Sequence, residues 1–155
     1  MSVKPGDRAP DFTLNDQHGQ PVTLSRLWSQ GPVVLFFYPK DFTGGCTAEV
    51  CAFRDTYEDF KDAGASVVGI SSQGVDSKKA FAEKHRLPFT LVADEGGKVR
   101  GQFGVKGSLF GLIDGRETYV IDAQGVVRHV FNSLVEPNKH VREALEVLRT
   151  LKRAA

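Results

Sequence analysis

A chain of 155 residues, 41% hydrophobic and 25% charged, has the length and balance of one ordinary globular domain that can bury a core without covalent staples. Its formal net charge of +1, with no basic stripe and no acidic tail, excludes the electrostatic footprint of a nucleic-acid binder. Two cysteines are too few for a secreted disulfide framework or a four-thiolate zinc site, and the longest apolar run, 33–38, is too short to span a bilayer. The first residues, MSVKPGDRAPDF, lack the apolar segment of a secretory signal, so a cytoplasmic setting is the expectation.

Residues 1–28 mix turn formers with the short alternating runs Phe12-Thr13-Leu14 and Pro21-Val22-Thr23-Leu24. Residues 16–19 separate the two runs, which predicts a small β-hairpin. The stretch Val33-Val34-Leu35-Phe36-Phe37-Tyr38, bounded by Gly31-Pro32 and by Pro39, has the pattern of a strand buried on both faces. A helical pattern follows over 45–63, with Val50, Phe53, Tyr57 and Phe60 on its apolar side and Gly64 as its stop. A second buried strand is expected over 66–71, then a helix over 77–85 capped by Asp76 or Ser77. Residues 89–94 form a third strand candidate and 97–103 a short helix. Strands over 117–122 and 126–131 flank Ala123-Gln124-Gly125 as a hairpin. The last helix, over 138–152, aligns Val141, Ala144, Leu145, Leu148 and Leu151. Strands alternating with helices, then a hairpin and a helix, imply a single domain over 1–155. The expected class is α/β, a three-layer α/β/α sandwich with a mixed central sheet, thioredoxin-like in its order, carrying an N-terminal β-hairpin extension.

The segment Tyr38-Pro39-Lys40-Asp41-Phe42-Thr43-Gly44-Gly45-Cys46-Thr47-Ala48-Glu49-Val50-Cys51 carries the chemistry. It places Cys46 in the first turn of a helix that follows a buried strand. Unpaired N–H groups and the positive end of the helix dipole lie there, and both favour a thiolate. Gly44 and Gly45 leave room for a small substrate to approach the backbone. Cys51 lies five residues on, which in an intact helix puts the two Cα atoms roughly 8–9 Å apart. A disulfide needs about 4.4–6.8 Å, so a bond between them requires the first turns to unwind. A cysteine on a helix is more often a small core residue than a nucleophile. The position of Cys46 argues against that for Cys46, whereas Cys51, beside Val50 and Phe53, fits a core role as well.

The pattern Pro39-x-x-x-Thr43-x-x-Cys46 resembles the active-site motif of the peroxiredoxins. A second cysteine five residues later is similar to the bacterioferritin comigratory protein, or peroxiredoxin Q, subfamily. The resemblance extends through Ala9-Pro10-Asp11-Phe12-Thr13-Leu14, Gly115-Arg116-Glu117-Thr118-Tyr119-Val120-Ile121-Asp122 and Pro137-x-Lys139-His140, nearly the whole chain. Gly44 departs from it, standing where the subfamily usually has proline. The resemblance implies a thiol peroxidase that reduces hydrogen peroxide and organic hydroperoxides. Cys46 would be the peroxidatic thiolate that becomes a sulfenic acid, and Cys51 would resolve it as an intrachain disulfide. Thr43 would bond the thiolate and the substrate oxygen, Arg116 would supply a fixed cation, Pro39 would shield the cysteine, and Glu49 would orient an arginine. It further implies thioredoxin or a glutaredoxin as reductant, no cofactor, no metal, no nucleic-acid or membrane partner, and a monomer.

Simpler roles exist for several of these residues: Thr43 as a helix N-cap, Arg116 as a solvated turn residue, Glu49 as a first-turn carboxylate. Arg54 is either a salt-bridge partner or a second cation of the site. The four histidines, His18, His85, His129 and His140, show no metal-ligand spacing and read as structural or exposed. Two competing functions stand beside the peroxidase. A thioredoxin-like disulfide oxidoreductase would use Cys-x-x-Cys, whereas four residues intervene here. A non-catalytic binding module on the same fold would have no physical need for Pro39, Thr43, Cys46 and Arg116 together.

Overall fold

The computed structural model describes residues 3–38, 44–105, 117–132 and 137–154. In chain order its elements are β1 (Thr13–Asn15), β2 (Pro21–Thr23), α1 (Leu24–Trp28), β3 (Val33–Phe37), α2 (Gly44–Asp55), α3 (Tyr57–Asp62), β4 (Ser66–Ser71), α4 (Val75–His85), β5 (Thr90–Ala93), α5 (Lys98–Phe103), β6 (Glu117–Ile121), β7 (Val127–Asn132) and α6 (Pro137–Ala154). β1 and β2 pair as a small antiparallel hairpin. The other five strands form one sheet of order β5-β4-β3-β6-β7. β3, β4 and β5 run parallel, while β6 and β7 join antiparallel, so the sheet is mixed.

β3 is the centre of the sheet because every one of its side chains is apolar and β-branched or bulky. All of Val33 to Phe37 have no exposed surface. Alternation along the strand then divides the core in two. Val34, Phe36 and Tyr38 point to the side covered by α2, α3, α4 and α6, with Phe53, Phe60, Phe81 and Leu148. Val33, Leu35 and Phe37 point to the side covered by α1, α5 and the N-terminal segment, with Phe12, Leu24, Val99 and Phe103. Each face buries apolar area worth roughly 25 cal/mol per Å².

Three local features differ from the sequence expectation. The helix expected over 45–63 is two helices, because Thr56 leaves the helical region (φ −105°, ψ 5°) and its hydroxyl donates to the Ala52 carbonyl at 2.8 Å. α4 starts at Val75 with Gly74 as its N-cap, ahead of Asp76 and Ser77. A Cβ on Gly74 would sit 2.5 Å from Glu95 Oε1, so a side chain there would displace that carboxylate. A short helix, α1, follows the hairpin at Leu24–Trp28, where the sequence reading assigned no helix.

The hairpin does more than extend the chain. Gln17 is buried and lies along the outer edge of β5: its Nε2 donates to the Phe89 carbonyl (3.1 Å), and its Oε1 accepts from the Leu91 N–H (3.0 Å). Asp16 adds an antiparallel bridge to Val92.

Candidate active site

α2 issues from the end of β3, at the carboxyl edge of the parallel strands, where α/β sheets place their ligands. Its twelve residues run through Cys46, Glu49 and Cys51. Cys46 falls in the first turn, where backbone N–H groups have no helical partner. Pro39, Thr43 and Arg116 lie outside the described residues, as do the side chains of Cys46 and Glu49. The strand register still fixes one relation: Glu117, the residue after Arg116, pairs with Phe37, two residues before Pro39.

The second half of α2 is firmly anchored. Val50 and Phe53 have no exposed surface. The Phe53 ring stacks on Phe36 with centroids 4.4 Å apart and planes 13° from parallel, and it also meets Phe60 at 5.5 Å. Arg54 donates from Nη1 to the His85 carbonyl at 2.8 Å and pairs through Nε with Asp55 at 3.0 Å. Cys51 is a half-buried free thiol whose Sγ lies 3.8 Å from His85 Nδ1. A surface cavity of about 390 Å³ opens beside it, lined in part by Ala48, Asp55, Val141 and Arg142.

Two buried cations converge on Tyr38, the last residue before the segment that leads to Cys46. Arg100 donates from Nη2 to the Tyr38 carbonyl at 3.1 Å, and its guanidinium lies 5.6 Å from the centre of the Phe37 ring. Lys78 has no exposed surface; its ammonium donates to Ser71 Oγ and sits 5.3 Å from the centre of the Tyr38 ring. Asp94 fixes Arg100 by accepting from the N–H groups of Val99 and Arg100 at 3.0 and 2.9 Å. Burial, and then the adjacent Glu117 carboxylate, hold the Tyr119 hydroxyl protonated, and it donates to Glu117 Oε2 at 2.9 Å. Two buried cations, Lys78 and Arg100, thus share this end of the sheet with two buried carboxylates, Asp94 and Glu117, in a dry setting where such charges interact strongly.

Lys78, Arg100 and His85 escaped the sequence reading, but two left a trace. Lys78, Phe81, Ala82 and His85 share the i, i+3, i+4, i+7 stripe of α4, so a lysine and a histidine occupy its buried face. Arg100 lies in a short helix rich in glycine and charge and gave no such signal.

A mixed sheet between two helical layers, with a cysteine-bearing helix leaving its central strand, defines a thioredoxin-fold thiol oxidoreductase. The chain belongs to the AhpC/TSA family, whose pattern it matches over residues 5–130, and it is a thiol-dependent peroxidase of the peroxiredoxin class. It is 55% identical over 150 residues to the chloroplastic peroxiredoxin Q of Sedum lineare, covering 97% of this chain and 80% of that protein. Its identity to the chloroplastic peroxiredoxin Q of Arabidopsis thaliana is 54% over 147 residues, 95% of this chain and 68% of that one. The fold matches the crystal structure of peroxidoxin BcpB from Mycobacterium tuberculosis with a TM-score of 0.90 at 45% identity, covering 96% and 98% of the two chains. The thioredoxin-like expectation thus holds, N-terminal hairpin included. The cytoplasmic expectation does not: the curated plant relatives are named chloroplastic, and the absence of an apolar segment in the first residues could not separate the two compartments. Members of this family use peroxide substrates and thioredoxin-type reductants.

Proposed function

We propose that Cys46 is the peroxidatic cysteine and Cys51 the resolving cysteine of an intrachain two-cysteine cycle that reduces hydrogen peroxide and organic hydroperoxides. The observation that carries this reading is α2 itself, which places both cysteines on one helix at the carboxyl end of the central strand. The Cys46 thiolate attacks one peroxide oxygen, forming an S–O bond as the O–O bond breaks; the leaving oxygen takes a proton as water or alcohol. Arg116 supplies charge to thiolate and leaving oxygen, Thr43 a hydroxyl, Pro39 a shield, and Glu49, one turn beyond Cys46, a carboxylate to orient an arginine. Cys51 then displaces hydroxide from the sulfenic acid, and a thioredoxin dithiol reduces the disulfide.

The anchoring of the second half of α2 supports Cys46 as the thiol that travels. Val50, Phe53 and Arg54 pin the Cys51 half of α2, so the turn containing Gly44, Gly45 and Cys46 unwinds toward Cys51. Both apolar clusters rest on the same sheet, which supports one catalytic domain over 1–155. Gln17 and Asp16 occupy the β5 edge, which supports a monomer.

The test is to mix reduced protein with one equivalent of hydrogen peroxide and count thiols. Fast loss of both in the wild type, abolished in Cys46→Ser and halted at a trappable sulfenic acid in Cys51→Ser, is the expected result. Loss at the rate of an ordinary free thiol would overturn the assignment.

A further inference from the structure

His85 is the last residue of α4, and it reaches Cys51 across 34 positions of sequence. Three contacts hold it there. The edge of Phe81 meets its ring at 5.0 Å with the planes 80° apart. Arg54 of α2, the helix that carries Cys51, ties down its carbonyl at 2.8 Å. Immediately after it, Arg86 adopts the left-handed conformation (φ 52°, ψ 52°), and the Leu87 N–H bonds to the Ala82 carbonyl at 3.0 Å, closing the helix. A half-buried imidazole is thus presented, nitrogen first, to a half-buried thiol on an anchored segment.

We propose that His85 is the general base of the resolving step, accepting the Cys51 proton as Cys51 attacks the sulfenic acid of Cys46. This rests on the reading of Cys51 as the resolving thiol. With the ring hydrogen assigned to Nε2, Nδ1 is free to accept. The Cys51–Cys46 S–S bond forms, the S–O bond of Cys46 breaks, and the thiol proton passes through Nδ1 to the departing hydroxide, which leaves as water. The sulfenic sulfur is reduced as the Cys51 sulfur is oxidised, so no outside oxidant or reductant enters the step.

The surroundings keep the base in its working form. Burial, then the charges of Lys84 and Arg54, hold His85 below the usual imidazole range, so it is neutral at neutral pH. The groups acting on it are Cys51 and Arg54 from α2 and Lys84 from its own helix, and Arg54 also pairs with the exposed Asp55. The possible gain is bounded. A thiol of pKa about 8.5 is only about 3% ionised at pH 7, so base assistance returns at most roughly 30-fold over unassisted ionisation.

The experiment follows both half-reactions by rapid quench and mass spectrometry in the full chain, wild type, His85→Ala and His85→Gln. Peptide mapping of the oxidised wild type comes first: absence of a Cys46–Cys51 linkage would refute the resolving reading itself, whatever His85 does. With the linkage present, sulfenic acid formation is expected at the wild-type rate in both variants. Disulfide closure at pH 7 is expected to be about 5- to 30-fold slower, to converge on wild type above about pH 9, and to recover in His85→Ala with added imidazole. Closure at the wild-type rate with an unchanged pH profile would overturn the proposal and leave Cys51 as the resolving thiol. Equal slowing of both half-reactions, or slowing that persists at high pH and ignores imidazole, would mark His85 as a packing residue and overturn it equally.

Discussion

Replacing Gly69 with alanine probes the packing that holds the catalytic helix in place. Gly69 lies in β4 beside β3, paired in register with Phe36. A Cβ there would sit 2.7 Å from Phe36 Cζ and 2.7 Å from Leu91 Cδ2. Carbon atoms in contact prefer about 3.5–4.0 Å, so the overlap is close to an ångström on two sides. Neither neighbour has room to yield. Both Phe36 and Leu91 are fully buried, and Phe36 is stacked on Phe53 at 4.4 Å and meets Phe89 at 5.8 Å. Overpacking of this kind costs about 1–3 kcal/mol, against which a stiffer unfolded chain returns about 0.4–1 kcal/mol. The net expectation is a loss of about 1–2 kcal/mol, or roughly 0.5–1 M in the urea midpoint for a typical urea dependence of about 2 kcal/mol per M. Urea unfolding followed by far-ultraviolet circular dichroism measures it. Adding Phe36→Leu should relieve the clash, so a double-mutant cycle should give a favourable coupling of about 1 kcal/mol. A Gly69→Ala protein within about 0.5 kcal/mol of wild type, with no coupling to position 36, would refute this account of the core.

Two further substitutions test local structure by the same unfolding assay. Asp122 is buried, which by itself raises its pKa. The N–H groups of Val126 and Gln124 and the Arg128 guanidinium (2.6 Å) outweigh that and lower it. A lowered carboxylate stabilises the fold above its unfolded value of about 3.9 and loses that contribution as pH falls through the folded value. Asp122→Asn should therefore cost about 1–2 kcal/mol at pH 7 and nothing in strong acid; a deficit independent of pH would refute the charge argument. Arg86→Gly removes a left-handed strain of about 1–2 kcal/mol but loosens the unfolded chain, so a net gain of up to about 1 kcal/mol is expected, and a loss would show that the arginine side chain matters more than its backbone.

The sheet was legible because β3 is an unbroken apolar run bounded by Gly and Pro, and β4 is a short run centred on Val67, Val68 and Ile70; such runs have few places to go other than the middle of a sheet. The break at Thr56 was not. Val50, Phe53, Tyr57 and Phe60 keep helical spacing across it, since α3 continues to pack toward the same core. Only the threonine hydroxyl bonding back to Ala52 interrupts the helix, and that competes locally without altering the hydrophobic pattern. At the site, the Cys46 motif stood out because helix geometry gives one residue a distinct electrostatic setting. His85 did not, because its meeting with Cys51 depends on how α4 crosses α2. The buried stripe of α4 marked it as inward-facing without naming what it faces. The compartment was beyond reach of the segment read, since lacking a secretory signal is common to cytoplasm and plastid.

The single glutamine on the rim of the sheet has a consequence for life at high concentration. A bare outer strand offers its amides and carbonyls to any extended chain that drifts past, including a partly unfolded copy of itself. Gln17 presents one carboxamide in place of a peptide unit and occupies the Phe89 carbonyl and Leu91 amide that such a chain would engage first. In the proposed two-cysteine cycle the first turn of α2 unwinds each time and exposes backbone. With two of its groups already taken by Gln17, the β5 edge offers such backbone a poorer template for pairing.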